Sequence, residues 1–177
     1  MSQSIIDERS ECGMPWASIR SWPAANQAVD YHLQRYRAEL KYLEILVQEI
    51  RSCLNSAFPI LDELCAHSCH WCPDPCCLHA SIWFDFKDLL FLHFNQQPIP
   101  PAQPKASLRM PCRYLGPIGC RLPRLTRPWI CTWYLCPTQT AKLRNGHQAK
   151  YKLLNRAMAQ IKSERNLLEN EYIRIVA

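Results

Sequence analysis

At 177 residues, with 48% hydrophobic residues and a net charge of +6, the chain can bury a core of its own, so its eleven cysteines exceed what stability requires. The N-terminus, MSQSIIDERSECG, carries acidic residues and lacks the apolar run of a secretory signal. No segment approaches the about 18 consecutive apolar residues of a membrane span. These features argue against export and membrane insertion and set a reducing, cytoplasmic compartment as the expectation. There, dense cysteines bind metal more often than they pair. The odd cysteine count and the adjacent Cys76 and Cys77 also suit a disulfide framework poorly.

In chain order, residues 1–20 read as a flexible arm preceding a single helical domain, 21–177. From about 24 to 56, Val29, Leu33, Tyr36, Leu40, Leu43, Val47, Ile50 and Leu54 alternate steps of four and three. That spacing predicts one long amphipathic helix, started near Ser21–Pro23 and ended or kinked by Pro59. SIWFDFKDLLFLHFN, 81–95, predicts a short buried helix with Ser81 as a possible N-cap. The proline-rich stretch 95–111 then reads as a loop or lid between two cysteine-bearing halves. His147, Tyr151, Leu154, Met158, Ile161, Arg165, Leu168 and Tyr172 repeat the helical stripe over about 147–173, with a break at Asn145-Gly146. The fold class is therefore mainly α: two long helices packed around an irregular cysteine-rich metal-binding core, 65–137, with a short central helix. A helix-mediated dimer is the rival use of the two stripes.

The cysteines concentrate in the middle. CAHSCHWCPDPCC, 65–77, holds five cysteines and two histidines in thirteen residues. Cys69-x2-Cys72 is a knuckle suited to zinc or iron–sulfur ligation. Cys76 and Cys77 are adjacent, so their side chains diverge and more naturally reach different metals, unless one packs in the core. Cys112, Cys120, Cys131 and Cys136 supply four more thiols at spacings too wide for an isolated finger, which suits a site closed across the fold. The halves together allow one four-ligand centre with spare thiols, or two centres. His67, His70 and His79 are candidate replacements for a thiolate, each with a local packing role as the plainer reading. Trp71, Trp83, Trp129 and Trp133 are expected to form an apolar shell round the site. Cys65-x3-Cys69-x2-Cys72 also looks like the cluster motif of radical S-adenosylmethionine enzymes. A long helical stripe precedes it, however, and no alternating strands follow.

Between Asp88 and Glu164 there is no acidic residue, yet twelve Lys or Arg occur. Such a field attracts an acidic ligand or partner protein, and it equally balances anionic thiolate–metal groups. Nucleic acid is disfavoured, because no alternation of basic and aromatic residues on a sheet is apparent.

CHWCPDPCC followed by CRYLGPIGCRLPRLTRPWIC resembles the YkgJ-type cysteine-cluster family, described as zinc- or iron-chelating proteins. The resemblance covers about 69–137. Cys69, Cys72, Cys76 and Cys77 match its first part; Cys112 with Leu115, Gly119-Cys120, Arg127-Pro128 and Cys131 match its second, and Cys136 stands as an eighth ligand. The x3 gap before the CC pair and the additional Cys65 depart from the pattern. The family is itself similar to the cysteine segment of flagellin lysine methylase, for which an iron–sulfur centre is the expected cofactor. No methyl-donor site is evident in this chain. The resemblance implies a cysteine-ligated metal-binding protein; the closely spaced cysteines, the second group far along the chain and the expected aromatic shielding slightly favour an iron–sulfur cluster such as [4Fe–4S] in a redox or accessory role. A zinc-stabilised interaction module is the alternative, and a cluster-dependent modifying enzyme a more distant one.

Overall fold

The computed structural model describes Trp16, residues 20–107 and residues 109–177. The expected arm and Cys12 lie outside the described residues, apart from Trp16 and Arg20. Trp16 packs on Trp22 and Phe86, with ring centroids 6.3 and 6.2 Å away.

Three helical pieces carry the first apolar stripe where one helix is predicted: α1 (Ser21–Arg35), α2 (Arg37–Leu40) and α3 (Leu43–Ser68). Neither bend contains proline or glycine. At Tyr36 the backbone leaves helical angles, and at the second bend Lys41 and Tyr42 accept i→i+3 bonds from Glu44 and Ile45. The bends let α1 lean on the central helix while α3 stays on the C-terminal one. The stripe survives them: Val29, Leu40, Leu43, Val47, Ile50 and Leu54 are all buried.

Pro59 does not end the helix. α3 runs through it to Ser68, because Ala57, Ile60, Leu61 and Leu64 continue the buried face against Leu143, Leu154 and Ala157. Tertiary packing here outweighs the missing backbone donor.

After the one-turn helix α4 (Cys76–His79), residues 81–85 form no regular element, and α5 spans Phe86–Phe94. Its N-cap is Asp85, not Ser81. The Asp85 carboxylate accepts from the Asp88 amide at 2.7 Å, and Asp88 accepts from the Asp85 amide at 3.0 Å. A carboxylate satisfies the orphan N–H groups and faces the positive helix end, and Ser81 lies too far upstream to do either.

Residues 95–107 and 109–111 form an irregular loop, but a packed strap rather than a lid. Pro100, Gln103, Pro104 and Lys105 are buried. Gln103 bonds both backbone groups of Phe84, at 2.8 and 3.1 Å, and the Trp22 indole donates to Pro100 O at 2.8 Å. The Tyr114 hydroxyl donates to Ala102 O at 2.7 Å, so the strap is sewn on both edges.

A two-stranded hairpin follows, β1 (Leu115–Gly116) and β2 (Gly119–Cys120), with Leu115 opposite Cys120. Gly119, at φ +116°, closes the turn in a conformation costly for any side chain. The chain then passes a 3₁₀ turn (Arg124–Thr126) and α6 (Ile130–Trp133) to α7 (Pro137–Gly146) and α8 (Gln148–Val176). The predicted break falls at His147, which is exposed between α7 and α8 rather than part of the stripe. Leu154, Ile161, Leu168 and Tyr172 are buried.

α3 and α8 are antiparallel: Tyr42 bonds Glu171 at one end, and Glu63 pairs with Lys150 at the other. The two stripes thus satisfy one another within one chain. No helix among the described residues is long and apolar enough to cross a membrane.

Candidate metal centre

The last turn of α3 delivers the first thiols. Cys65 and Cys69 are four residues apart on a helix, hence on one face, and the Cys69 amide bonds Cys65 O at 2.8 Å. Gln139, buried on α7, aims its amide at the same spot. Its Nε2 donates to Ser68 Oγ at 2.9 Å and to Cys69 Sγ at 3.5 Å, with Cys65 Sγ at 3.9 Å. Arg124 donates to Cys65 Sγ at 3.4 Å and is itself held by Asp62, Nε to Oδ1 at 2.7 Å. Burial opposes its charge, but Cys65 and Asp62 together keep the guanidinium charged.

Beyond Cys69 the chain turns through Trp71, Cys72 and two prolines into α4, which starts at Cys76. The second half docks on this turn: the Cys112 amide donates to Cys77 O at 3.0 Å. The hairpin brings Cys120 back beside Leu115, and α6 carries Cys131. Cys131 acts electrostatically on Cys77, and Cys112 and Cys120 act on Cys131. Cys112 is buried; Cys77, Cys120 and Cys131 are half-buried; Cys69, Cys72 and Cys76 are exposed.

The two sides differ in acidity. The Cys69 thiol donates to Cys65, and with Arg124 and Arg127 nearby the Cys65 thiol is lowered to about 5. The Cys77 thiol likewise lowers Cys76 to about 6. Each donor is raised in turn, so each pair shares one proton. Cys131 is pushed well up by burial, reinforced by the neighbouring Cys120 and Cys112, and burial raises Cys112 too. Burial thus favours the protonated form of both thiols on this side.

The structure therefore brings together Cys69, Cys76, Cys77, Cys112, Cys120 and Cys131, and adds Cys65. Cys72 sits on the connecting turn, and Cys136 caps α7, accepting from Thr140 N at 2.9 Å. Neither is a principal neighbour of the other thiols. Among the described residues no three His, Cys, Asp or Glu side chains stand close enough to hold one ion, so the thiols converge without closing on a point. The donor chemistry suits a thiophilic metal or cluster: free thiols, two proton-sharing pairs, and N–H groups aimed at sulfur.

The histidines turn elsewhere. His67 is exposed, His70 stacks edge-on against Trp71 at 4.4 Å, and His79 pairs with Asp74 at 2.7 Å. The four tryptophans expected as a shell divide by exposure. Trp83 and Trp129 are half-buried, but Trp71 is 79% exposed, carried outward by the turn after α3, and Trp133 is 46% exposed.

Beneath the thiols lies a network that cysteine spacing does not reveal. Arg165 pairs with Asp85 and Asp88, each at 2.9 Å, and lies 5.4 Å from the centre of the Trp129 ring. Asp88 also accepts from the Trp129 amide at 2.9 Å, two residues before Cys131. The polar intruder in the C-terminal stripe was its one sequence signal. A cavity of ≈ 20 Å³ between Asp88, Arg124, Arg127 and Arg165 has room for about one water.

Compared with protein-family models, curated proteins and solved structures, the chain matches none.

Proposed function

We propose that this chain is a metal-binding protein built round a cysteine-ligated centre, with an iron–sulfur cluster of the [4Fe–4S] kind favoured in a redox or accessory role. The observation that carries this reading is the meeting of thiols from two distant segments, with Arg124 and Gln139 donating N–H to sulfur. N–H···S bonds disperse the negative charge that clustered thiolates accumulate, and they tune a cluster's potential. When bound, such a cluster supplies one-electron transfer or oxidation sensing. The chain's own residues supply the ligands, the compensating donors and the partial shielding from solvent.

A structural zinc centre is the alternative, favoured by the buried surroundings of Cys112 and Cys131, where a closed four-thiolate site contributes folding energy directly. A cluster-dependent modifying enzyme is the more distant reading; the cavity lined by Asp88, Arg124, Arg127 and Arg165 admits about one water. For partners, Arg109, Arg113 and Arg121 are exposed beside the second cysteine segment and suit an acidic protein or ligand. The compartment proposed is the cytoplasm.

Anaerobic purification, followed by visible spectroscopy and assays of iron, zinc and acid-labile sulfide, tests this. A coloured protein with equimolar iron and sulfide is expected. A colourless protein with stoichiometric zinc and no sulfide selects the alternative, and a folded, metal-free protein rejects both.

A further inference from the structure

α3 and α8 use their apolar stripes on each other, yet the pair keeps a second, outer face. On α8 this face carries Ala149, Leu153, Arg156, Gln160, Glu164 and Leu167, at helical steps of three and four; on α3 it carries Tyr42, Ile45, Leu46, Glu49 and Cys53. Ile45, Leu153 and Leu167 are each at least half exposed, and no element among the described residues covers them. A groove of ≈ 270 Å³ runs between Ile45 and Leu46 on one side and Leu167 on the other, flanked by Glu49 and Glu171. Apolar residues lining an open groove mark a docking surface.

The register of the helix pair fixes what stands at each level of this face. Tyr42 bonds Glu171 and Glu63 pairs with Lys150, so Leu46 is level with Leu167, Glu49 with Glu164 and Cys53 with Gln160. Glu49 and Glu164 are close enough to repel one another. Glu164 Oε1 accepts from Gln160 at 2.7 Å, while its Oε2 is buried with no partner among the described residues. Arg174 balances Glu171, and Lys150 balances Glu63. That leaves Glu49 and Glu164 unbalanced at one end of the face and Arg156, which forms no ion pair among the described residues, at the other. One end is apolar and acidic; the other, at Leu153 and Arg156, is apolar and basic.

We infer that this face joins two copies of the chain, packed antiparallel about a two-fold axis that passes Gln160 and Cys53. Such an axis sets residue 153 of one α8 opposite residue 167 of the other, and residue 156 opposite residue 164. Leu153 of the second copy then enters the groove beside Leu46 and Leu167. Its Arg156 comes between Glu49 and Glu164, where a side-chain rotation gives the unpartnered carboxylate oxygen a charge-assisted bond. An isologous contact makes each of these interactions twice. The occupant is a second copy because this one surface carries both halves of the match, at mirrored positions. The face is about 33 Å long and about 18 Å wide, on the order of 1,200 Å² for the two copies together, which clears the about 1,000 Å² of a specific interface. None of these residues is a candidate metal ligand, so the inference stands apart from the metal-binding reading.

The test is sedimentation velocity of the full-length chain, isolated anaerobically and kept reduced, over a range of concentrations. Wild type is expected at twice the chain mass. Arg156→Glu sets like charges opposite one another at both ends of the interface, and so does Glu49→Lys combined with Glu164→Lys. Each should weaken the dimer about a hundredfold or more. Mixing the two variants makes every facing pair opposite in sign again, so a heterodimer should form, an outcome that misfolded chains do not give. Leu153→Glu, at an exposed position, repeats the loss should a charge variant fold poorly, with far-ultraviolet circular dichroism reporting the helices. A short bismaleimide should link Cys53 to Cys53 of the second copy, read by mass spectrometry of the joined peptides. A wild type that stays monomeric at about 100 µM overturns the inference, whichever other protein the face then binds. A dimer indifferent to all three folded variants, or a mixture of folded charge variants that stays monomeric, overturns it as well.

Discussion

In the helical frame, Leu43, Val47 and Ile50 on α3 and Ile161 and Leu168 on α8 are buried because each recurs at helical spacing along its own element. In the middle of the chain, residues 69–136, position is fixed one contact at a time between residues far apart in sequence. Gln103 holds Phe84, Asp88 holds Trp129, and Cys77 holds Cys112. The frame is redundant, so a lost contact has many like it. The middle has few duplicates, and each bond there fixes a separate piece of backbone. Packing can therefore make a rigid scaffold, while a site with ligands from several segments depends on polar fasteners and, on the reading proposed here, on metal.

The sharpest way to break the contrast is at the residue belonging to both regions. Arg165→Ala should cost about 3–5 kcal/mol, because it leaves Asp88 buried without its cation. Urea denaturation followed by circular dichroism would measure it. A change below about 1 kcal/mol would mean that the network does not couple frame to middle. Within the frame, Leu168→Ala should cost about 2–5 kcal/mol as a core cavity, with helices and thiol region lost in one transition. In the middle, Gln103→Ala leaves both backbone groups of Phe84 unpaired, a cost of about 1–3 kcal/mol. Its mark should be local: faster hydrogen exchange at Phe84 and along 100–105, with α8 unchanged.

The smallest effect is one of pH. Burial raises Asp88 from 3.8 to about 6 in the folded chain, so between those values the folded state binds the proton that the unfolded state has released. This contribution to stability therefore falls as pH rises from about 4 to about 6. Asp88→Asn should flatten that part of the urea midpoint's pH profile while lowering stability at neutral pH. An unchanged slope would assign the pH dependence to other groups.

How far the sequence discloses this molecule follows the same division. Both stripes, the break after Gly146 and the central helix were legible, because periodicity and Asn-Gly chemistry act locally. The passage of α3 through Pro59 was not: its support comes from Leu143 and Leu154, about ninety residues away. The choice of Asp85 over Ser81 rests on a reciprocal carboxylate bond that propensity alone does not select. In the candidate centre, the thiols announce themselves by density, and the second cysteine segment docks on the first through the Cys112 amide and the Cys77 carbonyl. Gln139 and Arg124 were invisible as sulfur donors, since one glutamine in the first turn of α7 and one arginine among many carry no spacing signal.

Pro59 has a mechanical consequence. Because Pro59 has no N–H, the carbonyl of Asn55, ten residues before Cys65 and fourteen before Cys69, lacks the helical partner that would normally continue the ladder. The thiol-bearing end of α3 thus lies beyond a missing rung, secured there by the side chains of Ile60, Leu61 and Leu64 and by the Asp62–Arg124, Glu63–Lys150 and Ser68–Gln139 contacts. A slight swivel of those final turns stretches side-chain contacts rather than a full set of backbone bonds. The helix is built like a rod with a joint near its tip, and the joint gives Cys65 and Cys69 freedom to shift while the rest of the frame stays still.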